Sequence, residues 1–549
     1  MKMKLNIFLL STISFLLFGI VSFAQVQKDT AKKGSIDITS SFKPVLRNAA
    51  KINFSATPLP ADNGLPKLSY NIPSQNLFFS YQPVSLKPLA LAIDTNGPSH
   101  NSNYIKAGFG NFSTPFVEAG FSFGDGKKTN VNLLVNHISQ KGKLPFQQYS
   151  QSGFSLNGNF VNGKIEFYGK AGYNQDTYYQ YGTDTSVKNL TKKDLRQQFQ
   201  TVKLQAGLKN AFVNELGISY NPDLSINIFA DNHNATESNA ILNLPIEKTV
   251  GKSFGLKLGA TANMTQYKPA DVKSFSNNIY SVNGAFLLKT PDLFLQLGIL
   301  PTWDNKLFNT LPDIRVDYRV QEEKFVVTAG WIGYYIKNNY QNLAAINPFL
   351  SQPITQFNTR VYERYAGIKG SVANHFNYNL KLGNIEYNNM ALFVNDSAKQ
   401  RIFHVVKENK LKALQFRSEL GYVVQDKFNL AVALNYYSYY SIQTQDKPWH
   451  LIPIELNASL RFQPVKDVWI KSDLFAWRGP KYQTPEKNAF RLDGAVDLNA
   501  GVEFKATKMI NVFANFNNIL NRKYQRWNRY ESLGFNFLGG VIINFDQNR

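Results

Sequence analysis

Residues 492–504 read LDGAVDLNAGVEF, with apolar or small side chains at the even positions and mostly polar ones at the odd positions. Residues 254–264 (FGLKLGATANM) and 452–462 (IPIELNASLRF) repeat this alternation. A period of two gives a β-strand one apolar face and one polar face. Runs of this length suit tilted strands that cross a bilayer, whereas the strands of soluble sandwiches average about 5–6 residues. The pattern therefore predicts transmembrane β-strands and disfavours a soluble sandwich.

The alternation assigns each strand residue to the lipid or to the lumen. The residues expected to face lipid are Leu256, Leu258, Leu456, Val496, Leu498, Val512 and Ile543. Those expected to face the lumen are Lys257, Asn457, Asp497, Asn511 and Asn544, together with the charged candidates Lys381, Glu455, Arg461, Arg491, Asp493, Glu503 and Lys505. The polar face is rich in Asn, Gly, Ser and Thr, which suits a wet lumen.

Turn signals divide the chain into strands. Ten short ones recur, at 125–126, 162–163, 221–223, 251, 291–292, 321–323, 374–375, 425–427, 464–466 and 507. Longer connections lie between them, for example 179–197, 339–357, 479–490 and 521–533. Outer-membrane barrels have short periplasmic turns, longer outer loops and an even number of strands. We therefore expect an all-β fold, a single transmembrane antiparallel β-barrel of about 22 strands. The segments 199–221, with a bulge or a hairpin, and 400–425 leave this count open by two.

Composition supports this fold class and removes others. Of the 549 residues 18% are charged and 14% are aromatic, and no run after residue 24 approaches the roughly 18 apolar residues of a membrane helix. The chain has no cysteine, which excludes disulfides, thiolate metal sites and cysteine nucleophiles. The formal net charge of +22 fits a weak preference for anions in the lumen. Internal ion pairing and contacts to lipid phosphates are the alternative explanation.

The first hundred residues differ from the rest. A positively charged start, an apolar core and small residues before Gln25 make residues 1–24 a cleaved secretory signal peptide, with an uncleaved anchor as the alternative. Residues 25–100 hold eight prolines, which disfavour helices and central strands, so we expect a Pro-rich irregular segment, periplasmic or lumenal. Its apolar stretch 77–83 (LFFSYQP) is expected to pack against the inner wall or the periplasmic mouth. The barrel then occupies residues 101–549.

Aromatic residues lie beside the longer connections. They include Trp303, Trp449, Trp477 and Trp527, and also Tyr178, Tyr179 and Tyr181. We expect these side chains to form an interfacial girdle at the outer side of the membrane. Stacking of sugars is the alternative for the tyrosines.

The C-terminal stretch 510–545 reads INVFANFNNILNRKYQRWNRYESLGFNFLGGVIINF. Its last strand places Phe535, Phe537, Val541, Ile543 and Phe545 on one face, after a turn that contains Asn518-Ile519-Leu520 and Lys523-Tyr524. This stretch resembles the closing hairpin of TonB-dependent receptors. The resemblance implies an outer-membrane barrel of 22 strands whose lumen is normally plugged. Residues 25–100 are too few and too rich in proline for that family's plug, and residues 35–39 match its energy-coupling box only weakly. We therefore expect a receptor-like barrel without a full plug.

The sequence shows no constellation of catalytic or metal-binding residues. The six histidines are scattered, at positions 100, 137, 233, 375, 404 and 450, without an acidic partner at metal spacing. Neither a P-loop nor a G-x-S-x-G motif occurs, although catalytic groups that meet only in space stay open. We expect no enzyme activity, no cofactor, no metal site and no nucleic-acid binding, and the sequence singles out no ligand-binding residue.

Two functions of different classes fit these expectations. The first is a pore or transporter for an unidentified solute, and the second is a structural or interaction subunit of a multi-protein outer-membrane complex. Both place the chain in the outer membrane of a Gram-negative bacterium with both termini in the periplasm. The expected partners are outer-membrane lipid, the barrel-insertion machinery through the C-terminal strand that ends at Phe545, and a periplasmic or lumen-filling protein in the second case.

Overall fold

The computed structural model describes residues 102–126, 128–182, 190–211, 214, 216–373, 375–424 and 427–546. The predicted signal peptide (1–24) and the Pro-rich segment (25–100) lie outside the described residues. Where the chain is described, it forms strands almost throughout, with two short helices, α1 (Lys192–Leu195) and α2 (Tyr340–Ile346). No helix of this described part is long and apolar enough to cross a membrane.

The strands form one barrel wall with a few short pairs beyond its rim. In chain order they are β1 (Ser102–Gly110), β2 (Thr114–Gly124), β3 (Thr129–Lys141), β4 (Gln148–Asn162), β5 (Ile165–Tyr179), β6 (Arg196–Asn210), β7 (Ile218–Tyr220), β8 (Asp223–Asp231), β9 (Thr236–Val250), β10 (Phe254–Lys268), β11 (Phe275–Lys289), β12 (Leu293–Asp304), β13 (Leu307–Gln321) and β14 (Phe325–Ile336). They continue with β15 (Thr359–Val372), β16 (Phe376–Asn395), β17 (Phe403–Val424), β18 (Phe428–Ile442), β19 (Ile454–Val465), β20 (Val468–Trp477), β21 (Lys481–Gln483), β22 (Ala489–Arg491), β23 (Ala495–Lys505), β24 (Ile510–Asn517), β25 (Gln525–Trp527), β26 (Tyr530–Glu531) and β27 (Asn536–Asp546).

The wall closes on itself. Every pairing is antiparallel, and the first strand pairs with the last, from Ser102 opposite Asp546 to Gly110 opposite Leu538. Strands β7 and β8 both pair with β9, so together they make one interrupted wall strand. The short pairs β21–β22 and β25–β26 lie outside the wall. The result is a closed antiparallel barrel of 22 strands, which confirms the predicted fold class and strand number.

One predicted turn is wrong and another is displaced. The chain reverses direction between the end of β6 at Asn210 and the start of β7 at Ile218, whereas residues 221–222 only interrupt a wall strand. Proline cannot donate to a ladder, so Pro222 breaks the strand locally, but pairing resumes with Asp223 opposite Asn243. Residues 464 and 465 belong to β19, and the next turn follows at 466–467. The difficult segment 400–425 contains the single long strand β17.

The predicted faces of the strands are confirmed. Leu258 is 61% exposed on the outer face, while Asp497 is fully buried on the inner face. Arg491 and Asp493 are exceptions, because they lie in the connection before β23 rather than on the wall. The alternating pattern begins at residue 492, three residues before the strand does, since alternation alone does not mark where pairing starts.

Candidate functional site

The two ends of the barrel differ. One end, called here the turn end, holds Ser102, Asp546 and the short turns. The opposite end, the loop end, carries six longer connections: one between β5 and β6, of which 180–182 and 190–195 are described, and five at 337–358, 396–402, 443–453, 478–494 and 518–535. The four long connections expected from the sequence are confirmed within a few residues. The candidate functional site is the loop end, because these connections meet over the mouth of the barrel.

The connection 337–358, called here the insert loop, bonds to the inner wall. Its helix α2 begins after Asn339, whose side chain accepts a hydrogen bond from the Asn342 amide. The carboxylate of Glu237 on β9 accepts the backbone N–H groups of Tyr340 at 2.8 Å and Gln341 at 3.1 Å. Side-chain amides of the same loop, from Asn339 and Gln356, each donate to this carboxylate at 2.8 Å. One wall carboxylate thus satisfies the free N–H groups at the start of the helix and holds both ends of the loop.

Tyr340 anchors the insert loop more deeply. Its hydroxyl donates to Asp231 at 2.8 Å, and the Gln352 amide donates to the same carboxylate at 2.9 Å. The buried ring packs against three wall aromatics, with ring centroids 5.2 to 6.1 Å away: Phe199, Phe229 and Tyr267. Burial, followed by the charge of Asp231, raises the pKa of Tyr340 well above its usual value, so the hydroxyl stays a donor.

The two ends of the insert loop also bond to the neighbouring strands β10, β11 and β12. The Asn358 amide donates to Asn277 at 2.6 Å and to Asp304 at 2.7 Å. The ammonium of Lys337 donates to the backbone carbonyls of Asn263 and Asn277. Burial lowers the pKa of Lys337 to about 8, partly opposed by Asp304 and Glu237. The loop is therefore held by polar contacts to several neighbouring strands.

Aromatic side chains of the insert loop pack together with those of two other connections and of the first residue of β17. The stacked rings of Phe349 and Tyr530 have centroids 3.4 Å apart, and Tyr181 meets Tyr530 edge-on at 5.0 Å. Phe403 and Trp527 extend the cluster. We call these five residues the cap core. All are at least 94% buried, and they come from four segments far apart in the sequence, so the cap core ties the connections to each other.

The connection 443–453 joins the cap core from the side. His450 packs on Trp527 at 5.2 Å and bonds the carbonyl of Phe393 through Nδ1 at 2.8 Å. The Arg526 guanidinium donates to the carbonyl of His450 at 2.9 Å. The adjacent Trp449 is fully buried. Burial lowers the pKa of His450 to about 3, so the ring is neutral at ordinary pH.

These positions correct the predicted aromatic girdle. Trp303 fits a girdle, because it is 40% exposed on the outer face. Trp449, Trp477 and Trp527 are buried, and so are Tyr178 and Tyr181, mostly inside the cap. Trp477 packs on Tyr524, whose hydroxyl donates to the lumen-facing Asp497 at 2.5 Å. Position beside a loop does not distinguish a ring in the interface from a ring folded over the mouth.

Some charges of the lumen are paired with each other. Two lysine–carboxylate pairs join neighbouring strands, Lys209–Glu166 and Lys381–Glu363, and two join next-but-one strands, Lys289–Glu247 and Lys369–Asp317. This favours internal pairing over an anion-selective lining. In the described part of the chain, no three His, Cys, Asp or Glu side chains come together as a possible metal site.

Sequence reasoning missed Glu237, Tyr340 and the cap core. Residues 338–350 read NNYQNLAAINPFL, which is too apolar for a loop that projects into water. That composition was the available signal. It does not identify the partners, because Glu237 lies 103 residues from Tyr340.

Solved structures with the same fold are outer-membrane receptors and transporters. The FrpB iron transporter of Neisseria meningitidis is 12% identical, with a TM-score of 0.62, and the match covers 81% of this chain and 82% of that one. The siderophore receptor PirA of Acinetobacter baumannii is 10% identical, with a TM-score of 0.62 and coverage of 81% and 80%. A ferric enterobactin receptor mutant of Pseudomonas aeruginosa is 12% identical, with a TM-score of 0.60 and coverage of 81% and 80%.

No protein-family model matches the chain, and no curated protein matches it in sequence. The shared feature is the receptor-type barrel of 22 strands, as the resemblance of the C-terminal hairpin implied. A closed barrel of this size with an apolar outer face is an architecture of the Gram-negative outer membrane.

Proposed function

We propose that this chain is an outer-membrane transporter that takes up a solute through its lumen, with the loop end outside the cell and both termini in the periplasm. The observation that carries the proposal is the insert loop, which is bonded to the inner wall through Glu237, Asp231 and Asn277. A loop held in a mouth by polar contacts can be displaced when water or a polar solute replaces its partners. The fold of the receptors and transporters described above supports the same class of function.

Opening requires the insert loop to leave the mouth while the wall stays intact. Water or a polar solute can replace these hydrogen bonds one at a time, so the loop does not have to lose all of them at once. Each wall strand is paired with both of its neighbours, and lipid offers no other partner to the paired backbone groups. The proposal involves no catalytic step.

The second candidate is a structural or interaction subunit of an outer-membrane complex. The cap core favours it, because five buried aromatic rings make a closure that suits a permanent scaffold. In that case a periplasmic protein binds at the turn end or to residues 25–100. The barrel-insertion machinery recognises the strand that ends at Phe545.

Conductance in planar bilayers separates the two candidates. The variant replaces residues 340–356 by a short Gly-Ser linker, and the expected result is stable conductance well above that of the intact chain. A second variant, Asp231→Cys with Gln352→Cys, joins the loop to the wall through a disulfide formed by oxidation, at two side chains that are in contact and in a chain that has no other cysteine. Its cross-linked form should stay closed. Conductance that stays at the intact level after the loop is removed, with a stoichiometric partner that co-purifies, would favour the structural role.

A further inference from the structure

Strands β13 and β14 separate towards the loop end. Their pairing stops at Asp313 opposite Ile332, although β13 extends to Leu307 and β14 to Ile336. The next residue of β13 is Pro312, which has no N–H to offer a ladder. Both strands stay paired with their other neighbours, β12 and β15. The wall therefore carries a local split between two strands.

The split is closed towards the lumen and open towards the lipid. Leu311 is fully buried, and a Cβ on Gly333 would lie 2.8 Å from its Cβ, so this side chain fills the space between the strands. Higher up, Asn309 bonds both Tyr335, at 3.0 Å, and Arg360. What remains is a groove of about 460 Å³ on the outer wall, within the range of small-molecule sites.

The lining of the groove is amphipathic. Its apolar part includes Ile299, Ile314 and Trp331, and Ile299 and Trp331 are 57% and 42% exposed. Its polar part includes Arg364, whose guanidinium lies 5.3 Å from the centre of the Trp331 ring. Within the described chain no carboxylate forms an ion pair with Arg364. The carboxylate that lines the groove, Glu386, is paired instead with Lys410 at 3.0 Å and Lys412 at 3.7 Å.

The height of the groove matches one leaflet of the membrane. A strand tilted by about 40° gains roughly 2.5 Å of height per residue, and the apolar band of such barrels is about 25 Å tall. Trp331 lies six residues from the turn-end start of β14, and Arg364 lies eight residues from the turn end of β15. Trp331 and Arg364 then lie about 15 and 20 Å above the turn end, so the groove is in the half of the band nearer the loop end and the long side chain of Arg364 can reach the headgroups there.

We propose that this groove binds an anionic lipid of the outer leaflet, with a hydrocarbon chain along Ile299 and Ile314 and its phosphate at Arg364. That this leaflet is the outer one rests on the proposed function, which places the loop end outside the cell. Charge complementarity selects this occupant, because an unpaired guanidinium beside an apolar groove at headgroup depth fits an anionic amphiphile and not a neutral one.

Native mass spectrometry of the full chain tests the site by titration with phosphatidylglycerol and with phosphatidylcholine. The intact protein should retain one phosphatidylglycerol in preference to phosphatidylcholine. Arg364→Gln removes a charged hydrogen-bond donor and should weaken that retention about tenfold. Thr310→Trp fills the groove from the outer face and should abolish the preference.

Arg478→Gln is the matched control. Arg478 is an exposed arginine that directly follows β20, donates its backbone N–H to the Ile454 carbonyl and does not line the groove. Heat-dependent migration on denaturing gels confirms that each variant is a folded barrel. Equal loss of lipid in Arg364→Gln and Arg478→Gln, or an unchanged preference in Thr310→Trp, overturns the proposal. Neither result bears on the conductance test of transport.

Discussion

At the scale of single residues, His450 makes the cap sensitive to acid. Its ring is buried, bonded to Phe393 and in contact with Trp527. Burial lowers its pKa to about 3 from the ordinary value of 6.5, an effect partly opposed by the hydrogen bond to Phe393 and reinforced by Arg526. A detached loop therefore takes up a proton below about pH 6.5, whereas the packed ring does not. Its contribution to cap stability is complete above that pH and decreases as the pH falls towards 3.

We therefore expect acidification from pH 7 to pH 4 to loosen the connection 443–453 around Trp449 and Trp527. The measurement is tryptophan emission, which shifts to longer wavelength as these rings reach water. His450→Gln keeps a neutral donor to Phe393 and should remove most of the shift. His233→Gln, which changes an exposed ring, is the control. An identical shift in intact protein and His450→Gln would assign the acid response to another group.

The sequence predicts side-chain direction better than side-chain partners. Leu258 and Lys257 were assigned to opposite faces, and the structure agrees. Successive side chains of a strand point to opposite faces, and in a barrel wall the apolar face is the one in contact with lipid. The partners of Glu237 depend on a loop about a hundred residues away, so local pattern carries no information about them. Arg491 shows the limit of periodicity, since the pattern continues beyond the paired residues.

At the scale of elements, Glu237 is the main polar contact of the insert loop. Glu237→Gln leaves only one oxygen to accept the four hydrogen bonds that the carboxylate now accepts. We expect loop closure to weaken by roughly 2–3 kcal/mol, seen as faster amide exchange in residues 340–356 with little change in the wall strands. Glu247→Gln on the same strand is the control, because it removes only a half-exposed ion pair with Lys289.

Comparable exchange of residues 340–356 in Glu237→Gln and Glu247→Gln would mean that the aromatic contacts alone hold the loop. The distinction matters for function, because a solute can replace the polar contacts of the loop, whereas the aromatic rings of the cap core must come apart before the mouth opens.

Short turns and long connections were predicted from different features of the sequence, and the short turns were predicted in more detail. Short turns carry Gly, Asp, Asn and Pro at the positions where the chain reverses, and most were found. The failure at 221–223 has a specific cause. Asn221-Pro222 has the composition of a turn, but the flanking strands β7 and β8 both pair with β9. The chain reverses direction earlier, between Asn210 and Ile218, where the turn signals in the sequence are weaker. Long connections were located by elimination, and their folding over the mouth was not predicted.

At the scale of the whole molecule, the closed barrel was predictable from the sequence, whereas the cap that covers its mouth was not. Lipid forbids open edges, so strand number and rhythm determine the barrel. The cap depends on contacts between segments such as Tyr181 and Tyr530, which nothing in a local pattern connects.

Residues 25–100, outside the described part, remain the subject of a prediction. We expect the apolar stretch 77–83 to pack against the inner wall or the periplasmic mouth and to occlude the lumen from the turn end. Limited proteolysis of the folded protein should therefore spare this stretch, and cutting it away should raise conductance or lower barrel stability. Rapid removal of everything up to residue 100 without either change would make the segment a loose tail.

The seam between β1 and β27 has a consequence for biosynthesis. Ser102 pairs with Asp546, so β1, whose other edge pairs with β2, has no second neighbour until β27 has been synthesised. Contacts this distant in sequence fold slowly, and during export the edge of β1 would offer its free N–H and C=O groups to any other strand. We therefore expect the edge of β1 to need protection until β27 is available. A late stop codon that removes β27 is expected to leave an aggregating chain rather than a barrel with one missing strand.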